Sequence, residues 1–336
     1  MTRTPEDPPD DAPAAAMSNA ERRDLREGGR WSSGQRIKNA LIYVVARAAL
    51  EVAARLPRAA LRGACRALGL LAYALLRRER ARVRARLAAG LGDPPDERRV
   101  RAAFRTLGAM LADTLALFDP RERASSSLSL DEGSRRVLRE ALDEGRGIVF
   151  VSAHLGPWER MAALLVEEGF PVATVARESY DPRFTQLYER LRAPRGVRSI
   201  YRGRPGAAAA IVRELRRGRL VGFLIDLPTR VRSERASLFG AEADVPVGPS
   251  RIALARRAAI LVGAPSRRTV RIERVRCDDL APGPEGERAL VKRLARALEA
   301  RIAAWPEAWL GLYAPPGVAD RARLPPARLQ APSDHR

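Results

Sequence analysis

From about residue 132 to residue 304 the chain alternates short apolar runs with amphipathic stretches, and this alternation limits the possible fold more than any other feature. Residues 135–145 carry helical periodicity. GIVFVSAH (147–154) then reads as a strand buried on both faces, because its first five positions show no polar alternation. A helix over 157–168 precedes the strand PVATVAR (171–177). A helix over 181–193 precedes VRSIYR (197–202), and one over 206–217 precedes RLVGFLID (219–226). Residues 249–257 read as helix, AAILVGAP (258–265) and TVRIERVR (269–276) as strands, and 286–304 as a long amphipathic helix. Strands separated by helices of this length need crossover connections. The expected fold class is therefore α/β: a layered α/β/α unit with a mostly parallel central sheet.

Ahead of this unit the chain changes character. Between 39 and 76 it is apolar, but Arg47, Glu51, Arg55, Arg58, Arg62 and Arg66 interrupt it, and no window of about 18 uncharged apolar residues exists. One charge at the centre of a spanning helix costs roughly 2.5–3.5 kcal/mol. Two amphipathic helices lying in a membrane interface fit this pattern. Packing of the same helices on a soluble core remains open as the alternative. The run RRERARVRAR (77–86) suits anionic headgroups, or else forms a solvated helix face. Asp93-Pro94-Pro95 is a break, and helical periodicity resumes through Phe118 before Asp119-Pro120 ends it. The expected organisation is a disordered tail over 1–30, membrane-associating helices over 31–130, a catalytic α/β domain over 131–318, and a second disordered tail over 319–336.

Composition narrows the chemistry. The formal net charge is +21, and only Lys38 and Lys292 among the 61 basic residues are lysines. Such a charge implies anionic partners: a bilayer, an acidic protein or lipid, or nucleic acid. Aromatic residues make up only 5%, which leaves little for base stacking. The two cysteines, Cys65 and Cys277, cannot build a disulfide framework and suit a reducing compartment. With only His154 and His335 present, a multi-histidine metal site is excluded by counting. The sequence contains no G-x-S-x-G elbow, phosphate-binding loop or dinucleotide fingerprint.

His154 ends the first buried strand, and Leu155-Gly156-Pro157-Trp158-Glu159 follows. On one continuous helix, five residues would separate His154 and Glu159 by about 140°. Gly156 and Pro157 break that continuity. With Gly156 as cap and Pro157 at the first helical position, Glu159 falls in the first turn, where its carboxylate is expected to fold back toward the imidazole. A neutral imidazole held in one tautomer by a carboxylate is a general base. In open α/β sheets ligands bind beyond the carboxyl ends of the strands, where His154 sits. A structural histidine and a glutamate that merely complements the helix dipole are the competing readings.

Six ordered blocks carry a resemblance to a known family: VSAHLGPWE (151–159), VAR (175–177), the Arg192 to Gly196 spacing with SIYRGRPG (199–206), LRRGRLVGFLID (215–226), LFGAEADVPVGPSRIALARRAAILVGAP (238–265) and WPEAW (305–309). Over about 270 residues the chain resembles the late acyltransferases of lipid A biosynthesis, within the wider glycerolipid and lysophospholipid acyltransferase superfamily. That resemblance implies transfer of a fatty acyl chain from an acyl carrier protein or coenzyme A thioester to a lipid hydroxyl. The acceptor it suggests is a lipid A precursor, with a lysophospholipid or glycolipid as the alternative. It implies His154 as base with Glu159 as its orienting partner, and Arg177, Arg202 and Asp226 as substrate-binding residues. It also implies no cofactor and no metal, a peripheral or monotopic place on the cytoplasmic face of the inner membrane, and no nucleic-acid partner. Pro157, Leu227 and Tyr313 depart from the family pattern of Asn, Gln and His-Arg, which bears on the acceptor. A non-enzymatic basic membrane- or nucleic-acid-binding protein is the alternative of another class.

Overall fold

The computed structural model describes residues 31–91, 96–227 and 231–313. The tails expected over 1–30 and 319–336 lie outside the described residues. Four helices come first: α1 (Ser33–Ala53), α2 (Arg58–Leu75), α3 (Arg77–Leu91) and α4 (Glu97–Ala116). The α/β unit follows, with β1 (Ser129–Leu130), α5 (Glu132–Asp143), β2 (Ile148–Ser152), α6 (Trp158–Glu167), β3 (Val172–Arg177), α7 (Pro182–Arg192), β4 (Arg198–Arg202), α8 (Ala207–Arg216) and β5 (Leu220–Leu224). Then come β6 (Ser233–Leu238), β7 (Ala241–Pro246), α9 (Gly248–Arg256), β8 (Ala259–Ser266), β9 (Thr269–Arg274) and α10 (Pro284–Ala304).

The main sheet has seven strands in the order β1-β9-β8-β2-β5-β3-β4. The five from β8 to β4 run parallel, and β9 alone pairs antiparallel, against β8. The absence of polar alternation in β2 is explained by two hydrophobic cores. Val149, Val151, Val221, Ile260 and Val262 face α8, α9 and α10. Ile148, Phe150, Leu220, Ala259 and Leu261 face α5 and α6. Successive residues point to opposite faces of a strand, so both phases of each central strand must be apolar.

Three strands went unforeseen, β1 at one edge of the main sheet and the pair β6 and β7. β6 and β7 form a separate antiparallel hairpin against α10. The two residues between them, Phe239 and Gly240, both have positive φ, 53° and 74°. Two consecutive positive φ values give the turn whose twist matches a tight hairpin, so Phe-Gly before an alternating stretch was the available signal. Strand β9 also ends at Arg274, two residues short of the expected end at 276.

The amino-terminal helices pack closely on one another. A β-carbon on Gly108 would lie 2.1 Å from the carbonyl oxygen of Cys65, and one on Gly69 would lie 2.3 Å from that of Phe104. Any side chain at either position would therefore force α2 and α4 apart. Away from this contact, Ile37, Leu41, Val44, Val45 and Val52 of α1 are exposed, as are Leu68, Leu71 and Leu75 of α2. Ile42 is exposed as well, and the six on α1 span an arc of about 160°. No single helix among the described residues is long and apolar enough to cross a membrane.

Candidate active site

The site is set by register. β2 pairs with β5 so that Ser152 lies beside Leu224. The same offset carried two residues past each strand brings His154 beside Asp226. Nδ1 of His154 lies 2.8 Å from Oδ1 of Asp226. Asp226 is almost completely covered, with 1% side-chain exposure, whereas His154 keeps 24%. The second carboxylate oxygen accepts a hydrogen bond from Nε1 of Trp309 at 2.9 Å. A carboxylate oxygen accepts, so Nδ1 is the donor of this bond, and a neutral imidazole in that tautomer keeps the lone pair on Nε2. The edge of Trp158 meets the imidazole at a centroid distance of 5.2 Å and an interplanar angle of 74°.

The turn that presents His154 needs glycine. Gly156 has φ +58°, and a β-carbon there would lie 2.9 Å from the Trp305 ring. Pro157 is the cap of α6 and Trp158 its first residue, so the helix begins one residue later than the sequence suggested.

This start bears on Glu159. The expectation that its carboxylate folds back onto His154 is corrected by the structure, in which both of its oxygens go to Arg192 at the end of α7. Nε of Arg192 donates to Oε2 at 2.9 Å and Nη2 to Oε1 at 2.5 Å. Glu159 is 5% exposed. Burial works against the Arg192 charge, but the hydrogen bonds and charge of Glu159 outweigh it and hold the guanidinium above its usual range. The pair fastens α6 to α7. Asp226, expected to contact substrate, supplies the contact to His154 that Glu159 was expected to make.

Arg177 and Arg202 are register partners at the carboxyl ends of β3 and β4. They lie on the same edge of the sheet as His154, about 10 and 14 Å away as two and three strand spacings. Arg177 donates to the Tyr180 hydroxyl at 2.8 Å and covers that ring at 4.2 Å. Sequence reasoning missed Arg160, which is fully buried. It donates to Glu122 at 2.7 Å and to the carbonyls of Arg123 and Asp113 at 3.0 and 3.1 Å, tying α6 to the amino-terminal layer. Its place beside Glu159 gave no signal in the sequence, since 59 arginines offer no contrast. Among the described residues, no group of three or more His, Cys, Asp or Glu side chains converges as a metal site would require.

A family model described as bacterial lipid A biosynthesis acyltransferase matches residues 33–313. No curated protein matches the chain.

Proposed function

Because the chain belongs to the bacterial lipid A biosynthesis acyltransferase family, it is an acyltransferase that acts on lipid, and we propose that it moves a fatty acyl chain from a thioester to a hydroxyl of a lipid A precursor with His154 as general base. The observation that carries this reading is the 2.8 Å contact between His154 and a buried Asp226. Nε2 takes the proton of the acceptor hydroxyl as its oxygen attacks the thioester carbonyl. The tetrahedral intermediate collapses, the carbon–sulfur bond breaks, and the imidazolium returns the proton to the departing thiolate. Asp226 stabilises the imidazolium while it exists. Negative charge on the former carbonyl oxygen develops near the amino terminus of α6, whose dipole favours it. The scheme needs no cofactor beyond the donor, which is an acyl carrier protein or coenzyme A thioester. Arg177 and Arg202 are suited to phosphate groups of the acceptor or donor.

The enzyme sits on the cytoplasmic face of the inner membrane as a peripheral or monotopic protein. The exposed apolar stripes of α1 and α2 support that placement. The test compares lipid A and total lipids by mass spectrometry from cells that lack the protein, carry it, or carry His154→Ala. Added acyl mass on lipid A only with the wild type is the expected result, with turnover of the purified variant reduced about 100-fold or more. A His154→Ala enzyme with over half of wild-type turnover overturns the mechanism. An added acyl group on a different lipid overturns the acceptor.

A further inference from the structure

We propose that Trp309 is a positioning residue that sets the basicity and tautomer of His154 through Asp226. The proposal rests on His154 being the base. After α10 the chain turns back over the catalytic turn and is joined to it by its backbone. The N–H of Gly156 donates to the carbonyl of Ala308 at 3.0 Å, and the N–H of Leu310 donates to the carbonyl of His154 at 2.8 Å. Leu155 and Trp309 form an antiparallel bridge between these two bonds. The backbone of residue 309 is thus fixed relative to residues 154–156, and its side chain reaches across to Asp226.

The indole N–H is chemically suited to this position. It donates and cannot accept, so it satisfies Oδ2 without competing for the imidazole proton. A carboxylate rotates over a broad, twofold profile about its last torsion. Pinning Oδ2 at 2.9 Å leaves Oδ1 directed at Nδ1. The donor also draws charge away from the oxygen that faces the imidazole. The indole is itself held in place by Phe239 at the hairpin tip, 5.8 Å between centroids and tilted by 45°. The N–H of Phe239 donates to Glu299 at 2.7 Å, which anchors a residue of positive φ. The same segment is tied to the amino-terminal helices, since Arg86 donates to the carbonyl of Gly311 at 2.6 Å and Arg99 lies 3.7 Å from Glu307.

Trp309→Phe keeps an aromatic ring and removes the donor. The purified full chain in detergent is assayed with a thioester donor and lipid A precursor, and kcat, both KM values, the pH profile and the melting temperature are recorded. The kcat is expected to fall roughly tenfold, with each KM within about twofold, as befits a group that acts on the base rather than on binding. The acid limb of the kcat/KM profile should move to higher pH, because the carboxylate left with one fewer donor favours the imidazolium. On an Asp226→Asn background the same substitution should cost nothing further, because loss of the indole donor frees the amide to turn its oxygen toward Nδ1. An unmoved acid limb, or losses that multiply in the double variant, overturns the proposal whatever happens to the melting temperature. If Trp309→Phe does not fold, the benzothiophene isostere of tryptophan installed at 309 removes only the N–H and carries the same readouts. His154→Ala is assayed alongside. An active His154→Ala enzyme refutes the underlying mechanism, whereas an inactive one with unperturbed Trp309→Phe refutes only this proposal.

Discussion

Replacing Asp226 by Asn tests the site most directly. The amide has nearly the shape of the carboxylate and enters a position that is 1% exposed. Its oxygen can still accept from Trp309, which turns its nitrogen toward Nδ1 of His154 as a donor. The imidazole proton is then forced onto Nε2, the atom that must receive the acceptor's proton. An electrostatic loss adds to this. An imidazolium and a carboxylate about 4 Å apart attract by about 4 kcal/mol at an effective dielectric of about 20. In the proposed scheme the base acts from its neutral form, so this attraction belongs to the transition state and its loss falls on kcat. At about 1.4 kcal/mol per factor of ten, kcat should drop about 1,000-fold. The inverted tautomer pushes the loss toward the ~10⁴ known for such a change in a catalytic triad. Each KM should stay within about threefold, because binding contacts are untouched. The melting temperature should move little, because the side chain's volume and its bond to Trp309 are kept.

Glu159→Gln is the control with the opposite signature. It leaves Arg192, 11% exposed, without its charged partner. Breaking a buried pair costs about 3–5 kcal/mol, a fall in melting temperature on the order of 10 °C. Turnover per folded molecule should hold within about tenfold, since the acid-base group itself is intact. Both variants are measured in one detergent by product formation and by thermal unfolding. An Asn variant that keeps more than a tenth of wild-type kcat refutes the reasoning. So does a Gln variant that loses about 1,000-fold at an unchanged melting temperature, which would return the orienting role to Glu159.

Gly108→Leu should destabilise the α2–α4 contact beyond the usual 1–3 kcal/mol of overpacking, because the atom it meets is the backbone of Cys65; a melting temperature within 2 °C of wild type would contradict that contact. Leu41→Glu with Val45→Glu should weaken binding to anionic vesicles by at least about tenfold while leaving the melting temperature alone, because both side chains are exposed on α1; unchanged vesicle binding in a flotation assay would move the membrane contact elsewhere. Glu167 accepts from the backbone N–H groups of Ala124 at 2.6 Å and Ser125 at 3.0 Å. Burial works to raise its pKa, but these bonds outweigh it and hold the carboxyl below its usual 4.5. A depressed folded-state pKa adds stability that is complete above about 4.5 and is lost as pH falls through the lower folded value. The gap in melting temperature between wild type and Glu167→Gln should therefore be full at neutral pH and narrow as pH falls below about 4.5, and a gap independent of pH would assign it to shape alone.

The layered fold and the place of His154 just past a strand end were legible in the sequence for a local reason. β5 is apolar throughout, and β2 and β8 are apolar up to their last residues, Ser152 and Ser266, because helices cover both faces, and each amphipathic stretch between strands folds by its own periodicity. His154 could be placed because a strand end, a glycine and a proline are sequential neighbours. The partner of His154 could not be read in the same way. Glu159 and Asp226 are both acids close to a strand end, five and 72 residues from His154, and proximity along the chain favoured the first. The strand order decided for the second. β5 inserts between β2 and β3, so the carboxyl end of a strand formed much later lies in register beside His154. Arg192 then claims Glu159, and Trp309, 83 residues beyond Asp226, completes the pair. Periodicity records which residues are covered and in what local conformation. It does not record which covered strand adjoins which, because that choice is made by packing whole elements against one another.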